Sequence, residues 1–400
     1  MKVLVINSSP YGELFRNGIC RLPVPPSDRL LVSTESNGGL RGHDHADFPA
    51  VACCTDINDE ELVRKAVYEL AATARPDRIV TISEQLILVA AQLREELGLE
   101  GQDLSSALRF RDKVVMKSTL RDAGCPEIPR FITADRELPE LPWRAERYVV
   151  KSRLGFGSRA VQVVSDLHEM NLARRELDAI QPGIEVEEYV EGEMYHCDAV
   201  VYGGVPVFAS VCRYLTPPGI FRSVATRGSV TLGEGTLRQR IVDYNAEVLR
   251  HLGLRDGVTH LEVFHTPDDR VVFCEIAARP GGGGICTVVR QAYGVDLITA
   301  ALRTQSGFPP QAPARPDGRL WGLIGYYPQP GLLPAPIDTD PLPEDLGIQH
   351  YFTGCVRPGP AQSSTDYAHK FVVSAATPEE FQRRWDDVSD VVAACGWKAA

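Results

Sequence analysis

The residues best suited to chemistry fall into three short segments. The first is Tyr148-Val149-Val150-Lys151, followed by a loop holding Gly155, Gly157 and Ser158. A lysine at the end of an apolar strand supplies a point charge, and glycines behind it let backbone N–H groups approach phosphate oxygens. Such a turn is also common in proteins that bind no phosphate. It is not the phosphate loop in which Gly-Lys-Ser/Thr closes a glycine run, nor a dinucleotide fingerprint, because its glycines follow the lysine and open no helix. The second segment carries Glu262 in Thr-His-Leu-Glu-Val-Phe and Glu275 in Val-Val-Phe-Cys-Glu-Ile-Ala-Ala-Arg. A carboxylate in an apolar run needs a cation. Either Arg279 serves, or a hard ion such as Mg²⁺, which takes one or two carboxylates plus substrate phosphates. Arg279-Pro280-Gly281-Gly282-Gly283-Gly284 then sets an arginine before a run of exposed donors, fitted to developing negative charge. The third segment is Glu187-Glu188-Tyr189-Val190-Glu191-Gly192, an ordinary acidic strand or an edge offering main-chain groups to an adenine.

The elements that must position these groups follow from periodicity. Strands are expected near 3–7, 30–33, 51–54 and 78–82, with a helix capped by Asn58 and Glu61 and another over 85–97 closed by Gly98. Strands alternating with helices predict an open, mostly parallel sheet, which binds ligands at its carboxyl edge, where Ser83-Glu84 lies. From Lys113 the pattern changes. A helix over 113–123 leads to strands over 148–151, 160–164 and 185–190, then β-rich segments over 197–211 and 223–232. A helix over 237–252 precedes strands over 259–264 and 270–276. One helix after Gly284 is expected to reach about Thr304. The final helix has Thr377 as cap, Pro378 at its first position and Glu380 completing a capping box.

Composition narrows the class. The chain has 400 residues, 44% hydrophobic and 24% charged, with a net charge of -11. This is a multidomain globular chain rather than a disordered or disulfide-stapled one. An acidic body argues against a nucleic-acid binder, though cationic clusters can still take phosphorylated ligands. No stretch approaches the length needed to span a bilayer, so no membrane partner is expected. The N-terminal run is too short for a secretory signal. The ten cysteines show no zinc or redox spacing, and reduced thiols in a cytoplasmic protein are expected.

Taken in order, the segments resemble the ATP-grasp family of ADP-forming ligases from about Arg111 to Thr304. Arg111-Asp112-Lys113, opening a helix that ends in Gly124-Cys125-Pro126, is similar to the segment with the family's first nucleotide lysine, and Lys151 to the second. The resemblance implies an α/β (α+β) ATP-grasp fold. Residues 1–112 would form an N-terminal open α/β (pre-ATP-grasp) domain, 113–190 a small lobe, 191–305 a large lobe and 306–400 a C-terminal α+β extension. It implies ATP held by Lys113, Lys151, Gly155, Gly157 and Ser158, with main-chain groups of Glu187, Glu188, Tyr189 and Val190 at adenine. Glu262 and Glu275 would hold Mg²⁺, with Mn²⁺ as substitute, and Arg279 would contact the acyl phosphate. Two departures stand out. Met194 occupies the usual ribose-glutamate position, leaving Glu193 as a stand-in, and Ala277 replaces a metal-ligand asparagine.

Among the branches, biotin-dependent carboxylases follow the arginine with Gln-Val-Glu, where this chain has Pro280-Gly281-Gly282. D-alanine ligases carry Asn-Thr-x-Pro-Gly, of which only Pro-Gly is shared. The L-amino-acid and natural-product peptide ligases match better, through Glu-x-Ala-x-Arg-Pro-Gly-Gly and a Gly192, Tyr195, His196, Asp198 pattern. The expectation is an ADP-forming ligase joining a carboxylate to an amine, with amino acids as partners and a homodimer as a candidate assembly. A purine-pathway type carboxylase and a non-catalytic nucleotide-binding protein are the alternatives. Substrate groups are expected among Glu84, Arg213, Arg222, Arg227, Gly281, Gly282 and Arg290; His196, His260 and His265 are expected to be structural or peripheral.

Overall fold

The computed structural model describes every residue except 36–39, 41–45, 315–316, 338–348, 353–360, 362 and 400, and for 220–222, 349–352 and 399 the backbone alone. The first part runs β1 (Val3–Ile6), a small hairpin of β2 (Phe15–Arg16) and β3 (Ile19–Cys20), β4 (Arg29–Thr34), β5 (Ala50–Cys54), α1 (Glu60–Thr73), β6 (Arg78–Val80), α2 (Ile87–Leu97) and α3 (Leu104–Arg111). β1 has no polar position, so both of its faces must be covered. It sits inside a parallel sheet of order β5-β4-β1-β6. Val3 and Val5 enter one core while Leu4 and Ile6 enter the other. Asp59, not Asn58, caps α1: its carboxylate accepts from the Glu61 and Leu62 amides. Helix α3 was not anticipated; Asp103 caps it.

The second part contains α4 (Lys113–Asp122), β7 (Phe131–Thr133), β8 (Tyr148–Ser152), β9 (Val161–Val164), α5 (Leu167–Ile180) and β10 (Ile184–Glu188), with an antiparallel sheet of order β7-β10-β8-β9. Strand alternation decides its faces. Tyr148, Val150, Ile184 and Val186 pack under Met170, Ala173 and Leu177 of α5. Lys151, Glu185 and Glu187 therefore project from the opposite face, with Lys151 paired in register to Glu185.

The third part runs β11 (Glu193–Tyr202), β12 (Val205–Tyr214), β13 (Thr226–Thr231), α6 (Thr236–Leu252), β14 (Gly257–His265), β15 (Val271–Ala277), α7 (Ile285–Tyr293), α8 (Leu297–Gln305), β16 (Leu320–Tyr326), β17 (Leu332–Pro334), β18 (Gln349–Phe352), β19 (His369–Ala375), α9 (Pro378–Cys395) and β20 (Trp397–Ala399). Eight of the strands form one sheet, ordered β15-β14-β11-β12-β13-β16-β19-β18. Tyr195, Cys197, Ala199 and Val201 pack with Ile241, Val248 and Leu252 of α6, so Met194, His196 and Asp198 face the other way. The single helix expected up to Thr304 is two, α7 and α8, bent by 95°. Gly294, at φ 68°, terminates the first, and Asp296 caps the second. The closing helix α9 has the expected Thr377 cap and buries Phe381, Val388 and Val392. Among the described residues no single helix is long and apolar enough to cross a membrane. The described cysteines are all free thiols.

Candidate active site

Two cavities meet at Glu262 and Glu275. The first, of 260 Å³, lies against the cavity face of β8 and β10. Val149, Val161, Val163, Met194 and Phe264 line it, along with Lys113, Lys151 and the Glu187–Val190 segment. Apolar walls around a few fixed charges suit a flat heteroaromatic ring carrying a charged tail. Gly155, Phe156 and Ser158 close its side. Gly157 and Ser158 both adopt the left-handed conformation, at φ 64° and 56°, which turns the loop back over the cavity.

Lys151 does not stand alone. Its Nζ lies 3.0 Å from Glu187 and 3.6 Å from Glu185. Lys117, fully buried on α4, pairs with the same two carboxylates, 2.8 Å from Glu185. Burial disfavours the Lys151 charge, but Glu187 and Glu185 outweigh it and hold the ammonium well above its usual value. Burial likewise opposes the Glu187 charge, and Lys117 and Lys151 overcome it and lower its pKa. Glu187 differs from the expectation: it lies within the sheet, paired in register to Phe131 and Val149, and its side chain is one of four charges in a buried ionic cluster. The Glu188 amide is spent on the Arg130 carbonyl at 2.8 Å and its carboxylate on the Arg130 side chain, so Tyr189 and Val190 are left as the hinge positions. Sequence reasoning missed Lys117 and Glu185. Their signal was the alternation of Glu185 and Glu187 beside Lys151, which leaves two acids facing one base.

Lys113 opens α4, where Asp112 caps the helix by accepting from Val114 and Val115. Its ammonium donates to the Gly155 carbonyl at 2.6 Å and lies 3.1 Å from Glu275. Glu193 is a correction. Alternation along β11 turns it away from the cavity, toward Tyr195 Oη and Arg213, while Met194 lines the cavity. Glu193 therefore does not stand in for a ribose carboxylate.

The second cavity, of 380 Å³, is bounded by Ser83 and Glu84, by the Arg279–Gly284 turn, and by Tyr214, Arg227 and Ser363–Thr365. Glu262 and Glu275 are directly opposite in register, with Cys274 bulged out between Glu275 and Phe273. The bulge puts two like charges side by side on one face, which is unfavourable unless cations answer them. Glu262 accepts from Tyr214 Oη at 2.6 Å and lies 3.5 Å from His260 Nε2. His260 Nδ1 in turn meets Asp198 at 2.8 Å, and His196 meets the other Asp198 oxygen at 2.7 Å. Burial opposes the Glu262 charge, yet His260 and Tyr214 bring its pKa down to about 2. Glu262 is thus held ionised, and beside Glu275 it offers hard carboxylate oxygens at a cavity junction, a donor set that fits a divalent cation. The Asp198–His260–Glu262 chain was missed at the level of sequence; its members alternate on two adjacent strands, which lines them up only once β11 and β14 pair.

Glu84 is also a correction. Rather than an open acceptor for a substrate ammonium, it bridges Arg111 at 2.6 Å and Arg279 at 2.5 Å, one oxygen each. Burial raises its pKa, but the two guanidiniums prevail and lower it. Arg279 also donates to the Pro280 carbonyl at 2.8 Å. Gly281 and Gly282 line the cavity. A Cβ on Gly281 would stand 2.8 Å from the Asp198 carboxylate, so only glycine fits there without displacement. Of the four arginines singled out as substrate groups, Arg227 lines the cavity. Arg213 is turned to Glu193, Arg290 on α7 lines neither cavity, and the Arg222 side chain lies outside the described residues.

Comparison with known proteins agrees with this geometry. Residues 145–288 match a family model described as an ATP-grasp domain. The L-arginine-specific L-amino acid ligase of Bacillus subtilis is 25% identical over 287 residues, covering 69% of this chain and 68% of that protein. An L-amino acid ligase structure from Bacillus licheniformis superposes with a TM-score of 0.76 at 19% identity, covering 98% of this chain and 97% of that one. Carboxyaminoimidazole ribonucleotide synthase of Aspergillus clavatus, solved with ATP, gives 0.72 at 14% identity over 98% of both chains. At these identities the structural likenesses establish the fold. Motifs, matched domain and fold thus agree on an ATP-grasp domain over residues 145–288.

Proposed function

We propose that this protein is an ADP-forming carboxylate–amine ligase that joins amino acids, or an amino acid and a related building block, through an acyl-phosphate intermediate. The observation that carries the reading is the junction of the two cavities. An apolar-walled pocket holding Lys113 and Lys151 opens, at the Glu262–Glu275 carboxylate pair, onto an arginine and a glycine turn. The similarity to amino acid ligases supports it.

In this reading the first cavity takes ATP. Its apolar walls and the Tyr189–Val190 main chain hold the base, while Lys113, Lys151 and the Gly155–Ser158 loop hold phosphates. Glu262 and Glu275 would hold Mg²⁺ or Mn²⁺, which supplies charge neutralisation on the transferring phosphoryl group. The protein itself contributes positioning and fixed charge and needs no nucleophile of its own. Arg279, locked by Glu84, presents its guanidinium to the acyl oxygens, and the Gly281–Gly284 main chain offers donors to the same charge. Attack of the amine on the acyl phosphate forms the C–N bond and breaks the C–O bond to phosphate. The departing phosphate takes up the amine proton. Incubation with ATP, Mg²⁺ and pairs of amino acids should yield ADP, phosphate and a product of the summed mass less water. AMP with pyrophosphate would contradict the reading, and labelled bicarbonate incorporation without amide would favour a carboxylase.

A further inference from the structure

We infer that a third cavity, separate from the ligase centre, binds a small oxyanion, a carboxylate or phosphate group, on Arg94. The cavity measures 610 Å³ and shares no lining residue with the other two. It lies where the N-terminal part meets the large sheet. Arg78 opens β6, Arg94 sits in the last turn of α2, Tyr202 ends β11 and Gln305 ends α8. Arg94 is 4% exposed. A charge taken out of water is costly unless an opposite charge or full hydrogen bonding replaces the water. The other buried arginines have an acid at hand: Arg29 pairs with Asp47, Arg111 with Glu84 and Arg384 with Glu380, and Glu262 acts on Arg227. Among the described residues Arg94 has no carboxylate within ion-pair distance. Burial there meets no opposing acid and pulls its pKa down to about 10, so at neutral pH the guanidinium stays charged.

The hydrogen bonds show how the group is held and what it has left. Arg94 Nε donates to the Ile79 carbonyl at 2.9 Å, and Nη1 to the Gln102 carbonyl at 3.0 Å. Among the described residues Nη2 donates to nothing, and it is not enclosed by protein. Gly101 keeps the path of the side chain clear: a Cβ there would stand 2.7 Å from Arg94 Cδ. The acids of the lining are already taken. Glu100 pairs with Arg78, while Asp256 accepts from the Gly203 amide at 2.8 Å and lies 3.5 Å from Arg255. Three arginines thus face two acids around the cavity, and the unanswered charge is that of Arg94. A fixed planar donor group opening onto polar space suits the paired oxygens of a carboxylate or phosphate better than a spherical ion. The cavity has room for a small metabolite behind that group.

The test uses the full chain with ADP·Mg²⁺ present, so that the nucleotide cavity is occupied. Sodium acetate and inorganic phosphate are each titrated, by calorimetry and by thermal shift, against chloride at matched ionic strength. At least one should bind to wild-type protein, and the one that binds shows whether a carboxylate or a phosphate is the group taken. Arg94→Gln should weaken that binding by about 10- to 100-fold, the range of one charge-assisted contact. The substitution leaves no acid orphaned, so the variant should fold. Arg78→Glu reverses a charge of the lining whose partner, Glu100, is exposed. It should weaken the binding by about fivefold, and it carries the test alone if Arg94→Gln does not fold. An Arg94 that merely holds the Ile79 and Gln102 carbonyls would cost stability in Arg94→Gln with no dependence on the anion, which overturns the inference. So does a wild-type protein that takes neither anion better than chloride, or binding that the substitutions leave unchanged. Binding is the readout throughout, so the outcome is independent of the ligase reading.

Discussion

Replacing Glu84 by glutamine isolates the group that sets Arg279 in place. Glu84 comes from the carboxyl edge of the N-terminal sheet and bridges two guanidiniums, Arg111 at 2.6 Å and Arg279 at 2.5 Å. Glutamine keeps the shape and one acceptor but removes the charge and turns an amide NH₂ toward one arginine. Breaking a buried pair from one side costs about 3–5 kcal/mol, because the partner charges remain buried. Part of that cost falls on stability and part on Arg279, which loses its orientation. A misplacement of about 1 Å at a reacting centre costs about 100-fold in rate. Glu84→Gln should therefore lower kcat by about that factor while the KM for ATP, set by the lysine cavity, moves little. The acid limb of stability should change as well. Glu84 has a folded pKa below its usual 4.5, since the arginines outweigh burial. Its contribution is present above 4.5 and lost as pH falls through the folded value. The variant should lose stability at neutral pH and show a shallower decline on acidification. Steady-state ADP release and urea unfolding between pH 3 and 7 read both effects. A variant within twofold of wild-type kcat, with an unaltered acid limb, would refute the positioning role.

Other expectations concern the two remaining clusters. Lys117→Met leaves the buried Glu185 and Glu187 to Lys151 alone and should cost about 3–5 kcal/mol in urea unfolding, whereas Lys151→Met should in addition abolish the thermal shift given by ADP·Mg²⁺. A Lys117→Met protein as stable as wild type would show that the cluster is balanced by something else. Glu275→Gln, at a third-exposed carboxylate on the cavity junction, should lose about 100-fold or more in turnover with melting temperature nearly unchanged; retained turnover would remove it from the site.

Much of this was legible in the chain because it is local. Buried strands such as Val3–Ile6, the Thr377 cap and the glycine loop after Lys151 announce themselves within a few residues. So do Glu262, Glu275 and Arg279, whose placement in apolar runs demands an explanation. What sequence could not supply was the partner of each charge. Glu84 looked open to an amine until the fold put Arg111 and Arg279 on either side of it. Glu193 looked like a substitute ligand until the alternation of β11 turned it outward. Lys117 reaches Glu185 and Glu187 across a long sequence separation, and the register that aligns Asp198 with His260 is set by strand pairing. Arg227 was one arginine among several; its burial beside the second cavity is a property of the folded chain.

In the proposed reaction the two cavities together make an acyl phosphate from ATP and pass it to an amine. Positional isotope exchange tests it most directly. ATP carrying ¹⁸O in the β,γ-bridge is incubated with the protein, Mg²⁺ and the carboxylate substrate, with the amine withheld. The label should scramble into the β-nonbridging positions, dependent on the carboxylate, and the scrambling should be lost in Glu275→Gln. A label that stays in the bridge while the amide still forms with ADP in the full reaction would contradict a reversible acyl-phosphate step, and AMP among the products would rule out phosphoryl transfer to the carboxylate.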